Sequence, residues 1–454
     1  MPGSIEGRFL RGTTMGHVVR MTLAGSVGVM FMFLVDAANL FWVSLLGVER
    51  LVAALGFAWT IQFFAVSVGI GLGVAATASV STLIGQHNRA EARRQASVCA
   101  LAAFLVQLGV SGLILWFRAD LLVLVGAEGQ TAAKASRYLL ISVPSLPVMS
   151  LGMVGSAVLR AEGDALRVMM VTLTSGLVSM VIDPTLIYGL GMGLDGAAIA
   201  LASARILSAG LSVYFVIGHH DLVGCINARD VRRLLAPFLL IAGPVVLTQL
   251  STPFGNYVVT SVIASFGDGA VAGWAVVSRL TLLAFGGLFA LSSAIGGIFG
   301  QNFGAARFDR VRQTYLDSLR FCLIYTLIAW ALLAFLTTGL IRAFGLGPEA
   351  ARVVSAFTHF GALGWVFAGG LFVANAAFNN LGRPIFSTLF NWLRDGVLLL
   401  PVVLLASADF AAPGAVYGQA LVSLLVGAGA VAVGWSFVTR LAEPQARARA
   451  VDAP

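Results

Sequence analysis

The chain has 454 residues, 59% of them hydrophobic and only 11% charged, with a mean hydropathy of +0.93. A soluble domain carries about 25% charged residues, so this composition excludes a water-soluble globular protein and points to a chain whose surface faces lipid. The formal charge of +8 is scattered among short connecting stretches rather than gathered in a patch, which argues against a nucleic-acid partner.

Apolar segments long enough to cross about 30 Å of hydrocarbon as helices recur from end to end. Twelve are expected, at roughly 18–46, 51–83, 95–117, 136–159, 166–190, 196–218, 236–264, 270–300, 315–340, 353–378, 385–408 and 414–439. The first begins too late, and carries too much Gly and Asp, for a cleaved signal peptide, and reads as a retained helix. Ile5-Glu6-Gly7-Arg8 reads equally as a protease-site scar or a natural tetrapeptide and receives no function. With both termini placed in the cytoplasm, 18 of the 28 Lys and Arg fall inside, six outside and four within spans. The positive-inside rule and the even number of spans agree on cytoplasmic termini.

The first span carries Asp36 in its middle, with Asn39 on the next turn. An ionised group near a bilayer centre costs about 2.5–3.5 kcal/mol on insertion scales, so Asp36 must face protein or water and act there. In the fifth span Thr172, Ser175, Ser179 and Asp183 fall on one face, a polar stripe ending in a carboxylate. Pro184 follows, removing a backbone donor and freeing a carbonyl near the acid. Asp36 and Asp183 are expected to be partners across the first half. Two close carboxylates in a low dielectric cannot both ionise cheaply, so such a pair suits proton uptake near neutral pH.

In the seventh span Thr248, Thr252, Asn256 and Thr260 recur every four residues, with Gln249 beside them, a neutral polar face without a carboxylate. The tenth carries Asn375 and Asn379. The eleventh carries Asn391, Arg394 and Asp395, the last two read as a structural ion pair; Arg205 and Arg279 are expected to snorkel or pair. Cys99, Cys225 and Cys322 fit no ligand spacing, and His219-His220 reads as a solvated helix end rather than a metal site. No phosphate loop, HExxH pair or nucleophile–base constellation is present, so neither ATP-driven transport nor an enzyme is expected, and no cofactor or metal.

The chain also repeats itself. Gly85-Gln86 follows the second span and Gly300-Gln301 the eighth; Arg160-Ala161-Glu162-Gly163-Asp164 follows the fourth and Asn379-Asn380-Leu381-Gly382-Arg383 the tenth, with Gly163 and Gly382 separated by 219 residues. The expected fold is therefore all-α, with twelve transmembrane helices in two six-helix lobes related by a pseudo-twofold along the membrane normal. The lobes are placed at 1–218 and 236–440, with a linker at 219–235 and a tail at 441–454.

Val35-Asp36, the Gly-Gln turn, Arg160 through Asp164, Asp183-Pro184 and Gly193-Leu194-Asp195-Gly196-Ala197-Ala198-Ile199-Ala200, in this order and at these helices, resemble the multidrug and toxic compound extrusion (MATE) transporters over nearly the whole chain. The resemblance implies a secondary antiporter moving organic, often cationic, compounds outward against proton or sodium influx. It also implies that Asp36 and Asp183 match acidic positions of an amino-terminal-lobe cation site. Two departures stand out: Ser179 where a subgroup shows Asn, and Leu201 where it shows Thr. Ala24-Gly25 also stands where that family's first helix often has proline. Fewer oxygens then remain for sodium, which needs several, so proton coupling is favoured.

The reading is a monomeric multi-pass membrane protein that exports small amphiphilic or cationic organic compounds in exchange for protons by alternating access. The coupling site is assigned to Asp36, Asp183, Ser179, Asn39 and Ser175. The substrate site is assigned to Gln249, Thr252, Asn256, Asn375, Asn379 and Trp365, with Phe372 as an alternative aromatic. Sodium coupling and a lipid-linked precursor flippase of the same superfamily are the alternatives.

Overall fold

The computed structural model describes residues 7–451, without the side chains of Glu49 and 442–451. Ile5 and Glu6 of the opening tetrapeptide lie outside the described residues, as does the last part of the expected tail, which is helical through Val451.

Among the described residues, twelve helical segments are long and apolar enough to cross a membrane. They are α1 (Thr14–Ser44), α2 (Arg50–Gly85), α3 (Arg89–Trp116), α4 (Gly129–Glu162), α5 (Ala165–Gly189), α6 (Gly193–Gly218), α7 (Ala228–Ala264), α8 (Asp268–Gly304), α9 (Phe308–Ala343), α10 (Gly361–Asn380), α11 (Pro384–Phe410) and α12 (Ala412–Leu441). The described residues contain no strand. Large apolar side chains such as Trp116, Leu124 and Phe335 stand exposed, as expected of a surface solvated by hydrocarbon.

Two of these segments are broken in ways that hydropathy does not register. α4 consists of Gly129–Ser142 and Leu146–Glu162, joined by a 3-10 turn at Val143–Ser145 where Pro144 withholds an amide. α10 is entered from a separate helix, Pro348–His359, through a 3-10 turn at Gly361–Gly364. The seventh helix begins at Ala228, so the connection before it is shorter than the 219–235 linker read from the sequence.

The chain divides into two compact units. The first contains 27–246: the later part of α1, all of α2–α6 and the leading half of α7. The second contains 7–26 and 247–454: the leading half of α1, the later part of α7 and all of α8–α12. The division falls inside two helices and not at the linker.

In the first unit α2 packs on α3 and α4, α3 on α4, and α6 on α4 and α5. In the second the same pairs return with six added to each number: α8 on α9 and α10, α9 on α10, and α12 on α10 and α11. The first unit's interior is rich in alanine, including Ala75, Ala76, Ala96, Ala103, Ala157 and Ala161. Such small residues let backbones approach where lipid offers no hydrophobic drive to association.

The caps repeat as well. α4 ends at Gly163 with φ 86° and α10 is followed by Gly382 with φ 84°, left-handed positions that favour glycine. Each unit also has a crossing segment tied down by arginines at the start of a helix. In the second unit Arg307 Nη1 donates to the Leu10 carbonyl (2.8 Å), Arg310 donates to those of Phe9 and Gly12, and Phe9 N–H donates to Gln301 Oε1 (3.0 Å). In the first unit Arg89 donates to the His220 carbonyl and Arg93 to that of Val223 (3.0 Å). Both segments immediately precede a helix shared between the units, α1 in one case and α7 in the other.

Candidate functional site

In the first unit α5 presents Ser175, Ser179 and Asp183 on its buried face, as the four-residue spacing requires. α1 crosses this face at Gly176. A Cβ there would stand 2.6 Å from a ring carbon of Phe31 and 2.8 Å from Val35 Cγ2, so only glycine permits the approach. This close crossing brings the Asn39 side chain onto Asp183. Asp183 is fully buried, and neither carboxylate oxygen has a hydrogen bond of good geometry. Ser175 Oγ donates to the carbonyls of Val171 (2.8 Å) and Thr172 (3.2 Å). Asp36 is exposed on α1, three residues before Asn39.

Directly after Asp183 the helix changes. Pro184 has no amide to give the Met180 carbonyl, the chain passes into a π-helical turn at Thr185–Gly189, and Thr185 Oγ1 donates to the Val181 carbonyl at 2.7 Å. The freed carbonyl expected near the acid is thus accompanied by a widened turn, a feature that recurs at functional positions in helices.

Sequence reasoning named Arg205 but did not place it in this region. Arg205 on α6 is buried, and its hydrogen-bond partners among the described residues are neutral groups and not a carboxylate. Its Nη1 donates to the Ser142 carbonyl (3.2 Å) and Ser145 Oγ (3.1 Å), and its Nη2 to Gln62 Oε1 (2.9 Å). Gln62 Nε2 donates in turn to Ser142 Oγ (3.2 Å). The signal was present in the numbering: Arg205 sits midway along α6, about 18 Å from either end at 1.5 Å per residue, too far for its side chain to reach an interface. Asp36 and Tyr138 both act electrostatically on Arg205, and Asp36, Asp183 and Arg205 all act on Tyr138 of α4. The two acids therefore share one electrostatic neighbourhood with a buried cation, although the side chain acting directly on Asp183 is Asn39.

In the second unit Thr252, Asn256, Trp365 and Phe372 line a common cavity, together with Arg394 and Asp395. Gln249 is half-buried on α7 outside its walls. Asn375 and Asn379 are buried against α11 instead: Asn391 Nδ2 donates to Asn375 Oδ1 (3.1 Å) and Ser387 Oγ to Asn379 Oδ1 (2.8 Å). The expected Arg394–Asp395 ion pair is present, with contacts of 2.7 and 2.8 Å.

Outside the spans, a polar cluster joins α3, the α4–α5 turn and the segment before α7. Asp164 caps α5 by accepting from Arg167 N–H (3.2 Å) and also accepts from the Arg167 guanidinium and His220 Nε2 (2.8 Å). Burial works against its charged form, but the hydrogen bonds from His220 and Arg167 outweigh it and hold the carboxyl well below the usual carboxylate range.

Known proteins with the same plan exist. A model of the MatE family matches residues 25–185 and again 244–405, one match on each six-helix repeat. The FAD transporter of Shewanella oneidensis is 28% identical over 417 residues, spanning 90% of this chain and 92% of that transporter. The multidrug export protein MepA of Staphylococcus aureus is 22% identical over 435 residues, spanning 93% of this chain and 94% of that protein. A crystal structure of a variant of the Vibrio cholerae MATE transporter VcmN superposes with a TM-score of 0.88 at 23% identity, over 94% of this chain and 97% of that one. With twelve apolar helices, a repeated six-helix topology and a family match over both repeats, the chain belongs to the MatE family of multi-pass membrane transporters, and is not an enzyme.

Proposed function

We propose that the protein exports small organic compounds in exchange for protons by alternating access, with the coupling site on α1 and α5 of the first unit and both termini cytoplasmic. The Asp183 carboxyl supports this reading above all: it is fully buried, neither oxygen has a hydrogen bond of good geometry, and the Asn39 side chain is the one polar group acting directly on it. For an ionised carboxylate in such surroundings a single amide does not repay the lost hydration, and a proton removes that cost. Besides the Asp36 and Asp183 carboxyls, the groups assigned to the site are two hydroxyls, Ser175 and Ser179, and the Asn39 amide, a meagre cage for sodium, which takes several oxygens. Releasing the proton places a charge between α1 and α5, two turns along from their tight crossing at Gly176, so proton occupancy and helix packing are linked.

The test is transport in proteoliposomes under an imposed proton or sodium gradient. A proton gradient alone is expected to drive efflux, and Asp36→Asn and Asp183→Asn each to abolish gradient-driven efflux while expression and folding persist. Efflux driven by sodium alone, or undiminished in Asp183→Asn, refutes the coupling assignment.

One observation favours a second reading of the substrate. The Shewanella relative is an FAD transporter, and the second-unit cavity carries a buried arginine beside aromatic rings, a combination suited to an aromatic solute rich in acceptor oxygens. On this reading the exported compound is a flavin-like metabolite in place of an amphiphilic cation.

A further inference from the structure

The second unit encloses a cavity of about 220 Å³ between α7, α8, α10, α11 and α12. That is below the range of about 300–1,000 Å³ that encloses drug-sized ligands, so it accommodates one end of such a molecule. Part of its lining is aromatic. Trp365 stacks on Phe285 with ring centres 4.9 Å apart and planes 5° from parallel, and Phe289 and Phe372 stand edge-on to it at 5.6 and 6.5 Å. These rings leave π faces and edges for a flat partner.

The other feature of the lining is an unusual ion pair. Arg394 Nε and Nη2 donate to the two oxygens of Asp395 at 2.7 and 2.8 Å. Neighbours in sequence do not face each other on an ordinary α-helix. Here both lie in a π-helical turn, Leu393–Leu398, and Gly255 of α7 makes room for the acid: a Cβ at 255 would stand 3.0 Å from the Asp395 carboxyl carbon. Both side chains are nearly buried, at 11% and 7% exposure, and the pair as a whole is neutral. A guanidinium has five N–H donors and this pairing uses one on Nε and one on Nη2, so Nη1 keeps its donors for another acceptor. Asn256 and Gln419, also on the lining, have side-chain amides without a hydrogen-bond partner among the described residues.

A neutral pair offers an organic cation no net attraction and leaves the Nη1 donors facing a group that cannot accept. A flat solute with oxygens on its ring edge satisfies both features at once. We infer that this cavity binds the planar heteroaromatic end of the transported solute, Arg394 donating to oxygen acceptors on the ring edge while the aromatic surface of Trp365 and Phe372 packs against the ring. Asp395 is a positioning residue that fixes the guanidinium plane. The inference rests on the proposed export of small organic solutes and names their class.

The experiment is calorimetric binding to the purified full-length protein in detergent, without any ion gradient, so a failure of proton coupling does not affect it. Riboflavin, a tricyclic ring system with two edge carbonyls, is compared with ethidium, a flat cation that lacks them. The protein is expected to bind riboflavin at least tenfold more tightly than ethidium. The double variant Arg394→Gln/Asp395→Asn, which keeps the site neutral, is expected to weaken riboflavin binding at least tenfold, and so is Trp365→Ala, which leaves the ion pair in place should the double variant fail to fold. Equal affinity for ethidium, no riboflavin binding by the unaltered protein, or unchanged affinity in any variant that folds overturns the inference.

Discussion

Arg205 is held by three neutral groups drawn from two other helices, at sequence separations of 63, 60 and 143 residues. None of these partners is visible from the arginine's own surroundings in the chain, which is why its charge was legible in the sequence and its network was not. Each hydrogen bond to a charged group contributes about 1.5–3 kcal/mol, and truncation also strands the partners that it satisfied. Arg205→Ala is therefore expected to lower the thermal unfolding midpoint strongly, and Arg205→Lys to recover only part of it, because an ammonium lacks the planar fork that reaches Ser142, Ser145 and Gln62 together. A midpoint unchanged in Arg205→Ala would remove the network from any account of stability. Asp183 was legible for the opposite reason: helical spacing alone fixes its face, and a carboxylate in an apolar span stands out whatever its partners. The role of Asn39 as its direct neighbour depended on the close crossing at Gly176, a packing fact that spacing does not encode.

At the scale of elements, the spans were recoverable because bilayer thickness dictates their length, and the two left-handed glycines marked matching helix ends. The breaks were not, since both disrupted helices keep their apolar character through the 3-10 turns and hydropathy reads straight across them. The cluster around the α5 cap lends itself to a pH test. In Asp164→Asn the cap survives, because asparagine also caps well, while the negative charge that accepts from Arg167 and His220 is lost. The Asp164 carboxyl titrates lower in the folded protein than in the unfolded chain, where it is near 3.9. Its contribution is therefore fully present above about pH 5 and fades as pH falls through the folded value. Thermal unfolding of both proteins across pH is expected to show an advantage of about 1–3 kcal/mol for the natural residue at neutral pH that narrows in acid. An advantage that instead grows on acidification would show that the cluster is not organised by this carboxylate.

For the whole molecule, the repeat was legible in short motifs, yet the boundary between the units was not, because it falls within α1 and α7, where no change of composition occurs. Residues 7–26 belong with the carboxy-terminal unit, and the leading half of α7 belongs with the amino-terminal one. Cutting the chain in the short connection before α7, into 1–225 and 226–454, is therefore expected to give two fragments that are each unstable alone and that associate when made together, read by detergent size-exclusion after separate and joint expression. Two fragments each monodisperse alone would contradict that division. The reciprocal loan of half-helices carries a further meaning. A six-helix ancestor of this design would have been incomplete as a single copy and whole as a pair, each copy completing the other, so gene duplication and fusion needed only to tether an exchange that the paired copies had already made.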